Sequence, residues 1–224
     1  MFRGYFFNRI IIYLAGLFLV SLGIVLCVKC GLGVSPISSV PYVLGYITPL
    51  TFGTLTMLFH FMNSFFQYIL ERKLINVKVL LQIPVAFLFG VVIDILKNAM
   101  SFEANGMGIK IILMILSILC TAFGMHLMLS MDLVQNPPDG TVNLIAHMMK
   151  RNIGTVKICY DVSMIILSIV IGYLSMSELI GFGVATLCSA IFVGKILAIF
   201  REHLSIKCKP YEKEQIIQRH KESR

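Results

Sequence analysis

Long apolar runs separated by short polar stretches make up most of the chain. Six of these runs approach or exceed the length of about 20 residues that a helix needs to cross a bilayer core. They cover residues 10–28, 53–70, 77–96, 109–131, 154–174 and 179–200. The pattern predicts an all-α polytopic membrane protein with six transmembrane helices. We expect one transmembrane domain over residues 1–204 and a charged cytoplasmic tail over residues 205–224.

Two polar, turn-prone stretches interrupt the apolar pattern. The first break, residues 31–41, reads GLGVSPISSVP, and the second break, residues 132–143, reads DLVQNPPDGTVN. Each runs into a short apolar piece, residues 37–50 and residues 139–151. Each piece has about 13 residues, or about 20 Å as a helix. Such a piece can dip into a membrane but cannot cross it, so both are predicted to be half-helices.

The two halves of the sequence resemble each other. Shifting the chain by 101 positions aligns Gly23 with Gly124, Pro36 with Pro137 and Gly53 with Gly154. The matches predict one repeat over about residues 9–100 and a second over about residues 110–204. Because each repeat holds three spans, the second would enter the membrane upside down, as in the inverted repeats of many transporters.

Composition supports the membrane interpretation, and charge adds an orientation. The chain is 58% apolar and 13% charged with a mean hydropathy of +0.88, whereas soluble domains are about 45–50% apolar and about 25% charged. The net charge of +8 is read as attraction to a lipid bilayer, with no nucleic acid as partner. Basic residues favour the cytoplasmic side, which places both termini there. The residues that set this orientation are Arg3, Arg9, Arg72, Lys73, Lys78, Lys150, Arg151 and Lys157 together with the tail.

No motif in the sequence predicts catalysis or a cofactor. Cys27 and Cys30 form a CxxC without a partner pair or flanking metal ligands, so we interpret the cysteines as buried thiols. No nucleophile–base pair, phosphate-binding loop or HExxH motif occurs. We therefore expect neither an enzyme nor a metal or cofactor site, and the chain alone cannot be an ATP-driven pump. No removable signal peptide is evident at the first apolar run.

The two breaks carry the candidate binding residues. Irregular backbone is tolerated at membrane depth only where it is buried in protein or lines water, and a helix N-terminus favours an anion. The alternative is that Ser35, Asp139 and Thr141 only cap interfacial turns. The candidates are Ser35, Pro36, Ser38, Ser39, Asn136, Pro137, Asp139, Gly140, Thr141 and Asn143.

His60 and Asp161 are the sharpest candidates inside the spans. They occupy equivalent repeat positions, each seven residues after a matched glycine, or about 10 Å into a helix. Ionisable residues within spans usually face a cavity or a partner. We expect a proton or cation relay, or a solute contact, in one central cavity. The alternative pairs Asp161 with Lys157 one turn earlier and bonds His60 to a neighbouring helix.

The motifs GLGVSPISSVPYVL and NPPDGTVNLIAHMMKRNIGTVK, with a second span that begins at Gly-Thr, resemble the YczE/YyaS/YitT family of multi-pass bacterial membrane proteins. The resemblance is strongest to the YczE-type branch and covers about residues 10–200. It implies a bacterial cytoplasmic-membrane protein. It brings no agreed substrate and no established binding residues.

These observations predict a transporter or channel-like protein for a small polar or anionic solute, bound between the two breaks. One alternative is a non-transporting accessory protein for a biosynthetic or export system. Another is a substrate-binding subunit of a multi-subunit transporter. A homo-oligomer or a complex with a partner subunit is compatible with each of them.

Overall fold

The computed structural model describes residues 2–71, 77–102, 104–178 and 180–204, and within these ranges the chain is helical without strands. Arg72, Lys73 and the predicted tail lie outside the described residues. The helices are α1 (Phe2–Cys30), α2 (Pro36–Ile47), α3 (Phe52–Glu71), α4 (Val77–Leu80), α5 (Gln82–Ala99), α6 (Met107–Met131), α7 (Pro137–Met148), α8 (Ile153–Met176) and α9 (Val184–His203).

Five helices in the described ranges are long and apolar enough to cross a membrane, namely Phe7–Cys30 of α1 together with α5, α6, α8 and α9. The chain is therefore a multi-pass membrane protein. Helix α3 has 20 residues but is less apolar, because it carries a polar face. That face, which includes His60, Asn63 and Gln67, is buried, whereas Met62 and Phe65 on the other face are about two-thirds exposed. Buried polar and exposed apolar side chains suit a helix that packs against protein on one side and lipid on the other.

Two predicted boundaries need correction. The third apolar run is not one helix but divides at Leu81 into α4 and α5. Proline lacks the N–H that would bond four residues back, so Pro84 leaves the Leu80 carbonyl without its helical donor. The sixth apolar run becomes helical only at Val184, where α9 begins. This start lies five residues later than predicted, because the segment before it contains Gly181 in a left-handed conformation with φ of 79°.

The helices α1 and α6 lie side by side through small residues. A Cβ atom added to Gly16 would lie 2.8 Å from the Gly124 carbonyl oxygen, and one added to Gly124 would lie 2.6 Å from the Gly16 carbonyl oxygen. Small residues of this kind allow membrane helices to approach closely. Side chains of α1, α5 and α6, including Leu17, Phe89 and Met131, form the main apolar core.

The short helices α2 and α7 pack against longer helices. Helix α2 packs against α8, and α7 packs against α3; each also contacts the long helix that follows it, α3 and α8 respectively. Helices α3 and α5 pack closely through Gly53 and Gly90, where a Cβ on Gly90 would lie 2.6 Å from the Gly53 carbonyl oxygen. Gly194 on α9 makes no such approach, since an added Cβ there has no atom within 4 Å among the described residues.

Both breaks contain backbone turns that end a long helix. Gly33 in the first break has φ of 113°, and a Cβ there would lie 2.7 Å from the Gly183 backbone nitrogen. In the second break Asp132 ends α6 in the left-handed conformation. The Arg9 Nε atom donates to the Met131 carbonyl at 3.1 Å, which places a cation at the negative end of α6.

Candidate functional site

The N-termini of α2 and α7 begin with proline. Pro36 and Pro137 follow Ser35 and Asn136, which occupy the N-cap positions in extended conformation without a side-chain cap bond. The Ser35 hydroxyl donates instead to the Ser38 hydroxyl at 3.0 Å. Neither Ser35 nor Asn136 caps its helix with a side-chain hydrogen bond. The alternative interpretation of Ser35 as a helix cap is therefore not supported by its contacts.

A cavity of about 430 Å³ lies between the two breaks. The helices α1, α2, α3, α5, α6, α7, α8 and α9 all contribute to its wall. His60 and Asp161, which the sequence aligns at a shift of 101 positions, both line this one cavity. The predicted site residues on its wall are Ser35, Pro36, Ser38, Asn136, Asp139, Asn143, His60 and Asp161.

Four of the predicted residues do not line this cavity. The Ser39 hydroxyl donates to the carbonyls of Pro36 and Met164, at 2.6 and 3.2 Å. Ser39 thus fastens α2 to α8. Pro137 and Thr141 are held by Gln67, whose amide nitrogen donates to the Pro137 carbonyl at 2.8 Å and the Thr141 hydroxyl at 3.2 Å. Gly140 faces the same glutamine, and an added Cβ there would lie 2.7 Å from its amide oxygen.

Three charged residues of the cavity wall form a triad on α7 and α8. The Lys157 ammonium lies 3.1 Å from an Asp139 carboxylate oxygen and 3.9 Å from an Asp161 carboxylate oxygen. Lys157 therefore lies near Asp161, as the alternative interpretation of Asp161 predicts, but its shorter contact is with Asp139. The single positive charge of this lysine neutralises the negative charge of only one of the two carboxylates.

Three buried polar atoms on the cavity wall have no hydrogen-bond partner in the described structure: His60 Nδ1, Asn136 Oδ1 and Asp161 Oδ1. Buried polar atoms are nearly always paired, and each exception calls for an explanation such as a ligand, an ion or water. The His60 ring lies 5.1 Å from the Phe89 ring, so one side of the imidazole packs on an apolar wall. The three atoms belong to residues of α3, of α8 and of the second break, so the unpaired polar groups come from different parts of the wall.

A smaller cavity of about 220 Å³ lies beside the first. Leu129, Gln135 and Asn143 line both cavities, and the Asn143 side-chain Nδ2 donates to the side-chain oxygen Oε1 of Gln135 at 3.1 Å. The smaller cavity is also lined by Gln67 and Gln82. These two glutamine side chains bond to each other in both directions at 3.1 Å.

Sequence reasoning missed several polar residues of the site. Asn63 accepts a hydrogen bond from the Tyr160 hydroxyl at 2.8 Å, which ties α3 to α8. Gln67 and Gln82 were not recognised as partners, and Arg201 was not recognised as part of the cavity wall. The signal for Asn63 and Gln67 was present in the sequence, since the spacings of three residues from His60 to Asn63 and of four from Asn63 to Gln67 place all three on one helix face. Nothing local pointed to Arg201.

Within the described ranges, no group of three or more His, Cys, Asp or Glu side chains is placed to hold a metal ion. Cys27 and Cys30 are buried and unpaired by disulfides. The Cys30 thiol donates to the Cys27 carbonyl, which is an ordinary contact within a helix end.

The chain belongs to DUF6198, which is described as a family of unknown function and matches residues 7–202. No curated protein and no solved structure matches the chain.

Proposed function

We propose that this member of DUF6198 is a membrane transporter or channel-like protein for a small polar or anionic solute, bound between the two breaks. One observation carries the proposal. Residues of both breaks and the pair His60 and Asp161 line one cavity, and three of its wall residues each carry a buried polar atom without a hydrogen-bond partner in the described structure. Its volume of about 430 Å³ lies within the range of about 300–1,000 Å³ typical of small-molecule sites.

The two helix N-termini support a polar solute to different degrees. Proline has no N–H, so α7, which begins with Pro137 and Pro138, offers fewer free donors than an ordinary helix. Its first turn also carries the Asp139 carboxylate, which occupies the positive end of the dipole. Helix α2 has a single proline at its start and no acidic residue in its first turn. Any preference for a negative group therefore belongs to α2 and its Ser38.

The proposal includes six spans in two inverted repeats. Two observations support it. The polar face of α3 is buried and its apolar face is exposed, as a span that packs against protein on one side and lipid on the other requires, despite its lower hydropathy. The packing of α2 on α8 is matched by that of α7 on α3, as exchange of the two halves requires. The proposed orientation places both termini on the cytoplasmic side of a bacterial cell membrane.

The relation to YczE-type proteins also belongs to the proposal. Its support is the pair of break motifs GLGVSPISS and NPPDGTVN, which begin the two short helices α2 and α7.

A second candidate function is a non-transporting accessory protein, and the charged triad favours it. Asp161 is buried and lies 3.9 Å from Lys157, which also holds Asp139. This ion network joins α7 to α8, which is a structural role that needs no solute in the cavity. The two candidates differ in whether a solute reaches the cavity.

The test is uptake by the purified chain in lipid vesicles, with a panel of small anions, zwitterions and neutral polar solutes, with and without a proton gradient. We expect protein-dependent uptake of at least one class. Asn136→Ala should reduce the apparent affinity for that solute roughly tenfold, because a hydrogen bond to a buried group contributes about 1–3 kcal/mol.

Asn105→Ala is the matched control, since Asn105 is exposed in the connector between α5 and α6. Its uptake should equal that of the unmodified chain. Failure of every class to enter, with correctly folded protein, would favour the accessory function. Equal uptake by both variants would remove the second break from the site.

A further inference from the structure

Lys157 is shared unequally by two acids on the cavity wall. It donates a hydrogen bond to Asp139 Oδ1 at 3.1 Å, whereas Asp161 Oδ1 lies 3.9 Å away, beyond hydrogen-bond distance. Lys157 and Asp161 are one turn apart on α8, and Asp139 lies in the first turn of α7. A shift of the flexible lysine head of about 1 Å, well within its rotamer freedom, would exchange the two partners.

Asp161 is the acid that this arrangement leaves without a hydrogen bond to Lys157. Its residue is 8% exposed, and its Oδ1 atom is buried without a hydrogen bond. An ionised carboxylate in such a place is costly, and binding a proton removes that cost. Asp139, in contrast, has both the hydrogen bond from Lys157 and a position at a helix N-terminus, two features that stabilise a carboxylate.

We propose that Asp161 is a proton-binding site whose occupancy decides whether Lys157 holds Asp139 alone or is drawn to Asp161. With a proton on Asp161, Lys157 pairs with Asp139 and fixes the start of α7. When the proton leaves, the new carboxylate competes for Lys157 and loosens Asp139, which lies in the second break. Proton binding is thereby coupled to the half-helix that lines the cavity.

The charges around the cavity indicate which solute would travel with the proton. Its ionisable residues are His60 from α3, Asp139 from α7, Lys157 and Asp161 from α8, and Arg201 from α9. The described wall residues of α1, α2, α5 and α6 carry no ionisable group. With both acids ionised and His60 neutral, the charges balance. A proton on Asp161 leaves one positive charge, which a monovalent anion would neutralise.

The inferred activity is therefore the joint binding of a proton and a monovalent anion. It rests on the proposed function for the solute, but not for the proton. The proton site can be tested without any solute, so the two ideas can fail separately.

The experiment is infrared difference spectroscopy of the chain in lipid vesicles during pH steps, which follows the C=O stretch of protonated carboxylic acids. We expect one acid signal that Asp161→Asn abolishes and that Glu178→Gln, a change at an exposed loop carboxylate, leaves in place. Asp139→Asn should move the midpoint of that signal to lower pH by about one unit, since Lys157 then serves Asp161 alone. Lys157→Gln should move it to higher pH.

An acid signal that persists in Asp161→Asn would overturn the proton site. An unchanged midpoint in both Asp139→Asn and Lys157→Gln would overturn the coupling to α7, and these two variants provide the test even if Asp161→Asn fails to fold. The titration without uptake of any solute in the vesicle panel would refute only the proposed function. Uptake that is indifferent to the proton gradient, together with a missing acid signal, would refute only this inference.

Discussion

At the residue scale, glycines decide how closely the membrane helices approach. Gly16 and Gly124 place the backbones of α1 and α6 in contact, and each carbonyl oxygen occupies the space where the other residue would carry a Cβ. Van der Waals packing replaces the hydrophobic effect as the force between helices in lipid. Loss of this contact therefore removes a main source of association between the two halves.

Gly124→Ala should lower the free energy of unfolding by about 1–3 kcal/mol, the usual cost of overpacking a tight contact. Thermal unfolding in detergent, followed by helical circular dichroism, measures the change. Gly108→Ala is the matched control, because an added Cβ there meets nothing within 4 Å. A control that destabilises as much as Gly124→Ala would show that the α1–α6 contact is not responsible.

The polar residues of α3 are buried inside the protein. His60, Asn63 and Gln67 all lie on α3, and the structure buries all three. Sequence spacing indicates that they share a helix face. It does not indicate their partners, because Gln82 and Tyr160 come from other helices and reach them only after packing.

At the element scale, side chains from distant helices stabilise helix ends. Asp94 on α5 accepts a hydrogen bond from the Gly53 backbone nitrogen at 2.8 Å and another from the Thr51 hydroxyl at 2.5 Å. The carboxylate therefore lies at the positive end of α3. Arg9 makes the complementary contact at the negative end of α6.

Asp94→Asn should destabilise the protein by about 1 kcal/mol, since it removes a charge and one acceptor from a helix N-terminus. Asp132→Asn serves as control. Asp132 is exposed and ends α6 in the left-handed conformation, which asparagine tolerates well. The control should be neutral or slightly stabilising. Chemical unfolding of both variants in the same detergent compares them, and equal losses would argue against the capping role.

The short helices show what local sequence can predict about an element. The predicted pieces, residues 37–50 and 139–151, correspond to Pro36–Ile47 and Pro137–Met148. Proline favours the first helical turn, and turn residues mark the ends. These are local effects, so the boundaries are close to those predicted. Which side chains face the cavity depends on packing and not on local sequence. Ser39 and Thr141, for example, bond to neighbouring helices and do not line the cavity.

At the scale of the whole molecule, the proposed topology makes both termini cytoplasmic. The connector with Asn105 and the loop with Ser177 should then be extracellular, whereas Arg151 should be cytoplasmic. All three residues are exposed. The exposed apolar side chains of α3, α6 and α8, among them Phe65, form the surface that lipid would cover.

Single cysteines at these three positions, in a chain whose native cysteines are replaced by alanine, test the topology. An impermeant maleimide should label Asn105→Cys and Ser177→Cys in intact cells, and Arg151→Cys only after the membrane is opened. Labelling of Arg151→Cys in intact cells would refute six spans in this orientation. Labelling of none in either condition would place all three within the membrane, which also refutes it.

The sequence by itself determined the helical membrane class and the two breaks. Hydropathy over a span length and the backbone limits of proline and glycine act locally, so they can be read residue by residue. Only the tertiary structure decided that Lys157 on α8 pairs with Asp139 on α7, and that Arg201 shares their cavity. The physical reason is that the rotation of each helix about its axis is fixed by packing against its neighbours. That rotation selects which polar side chains face the cavity and which face another helix.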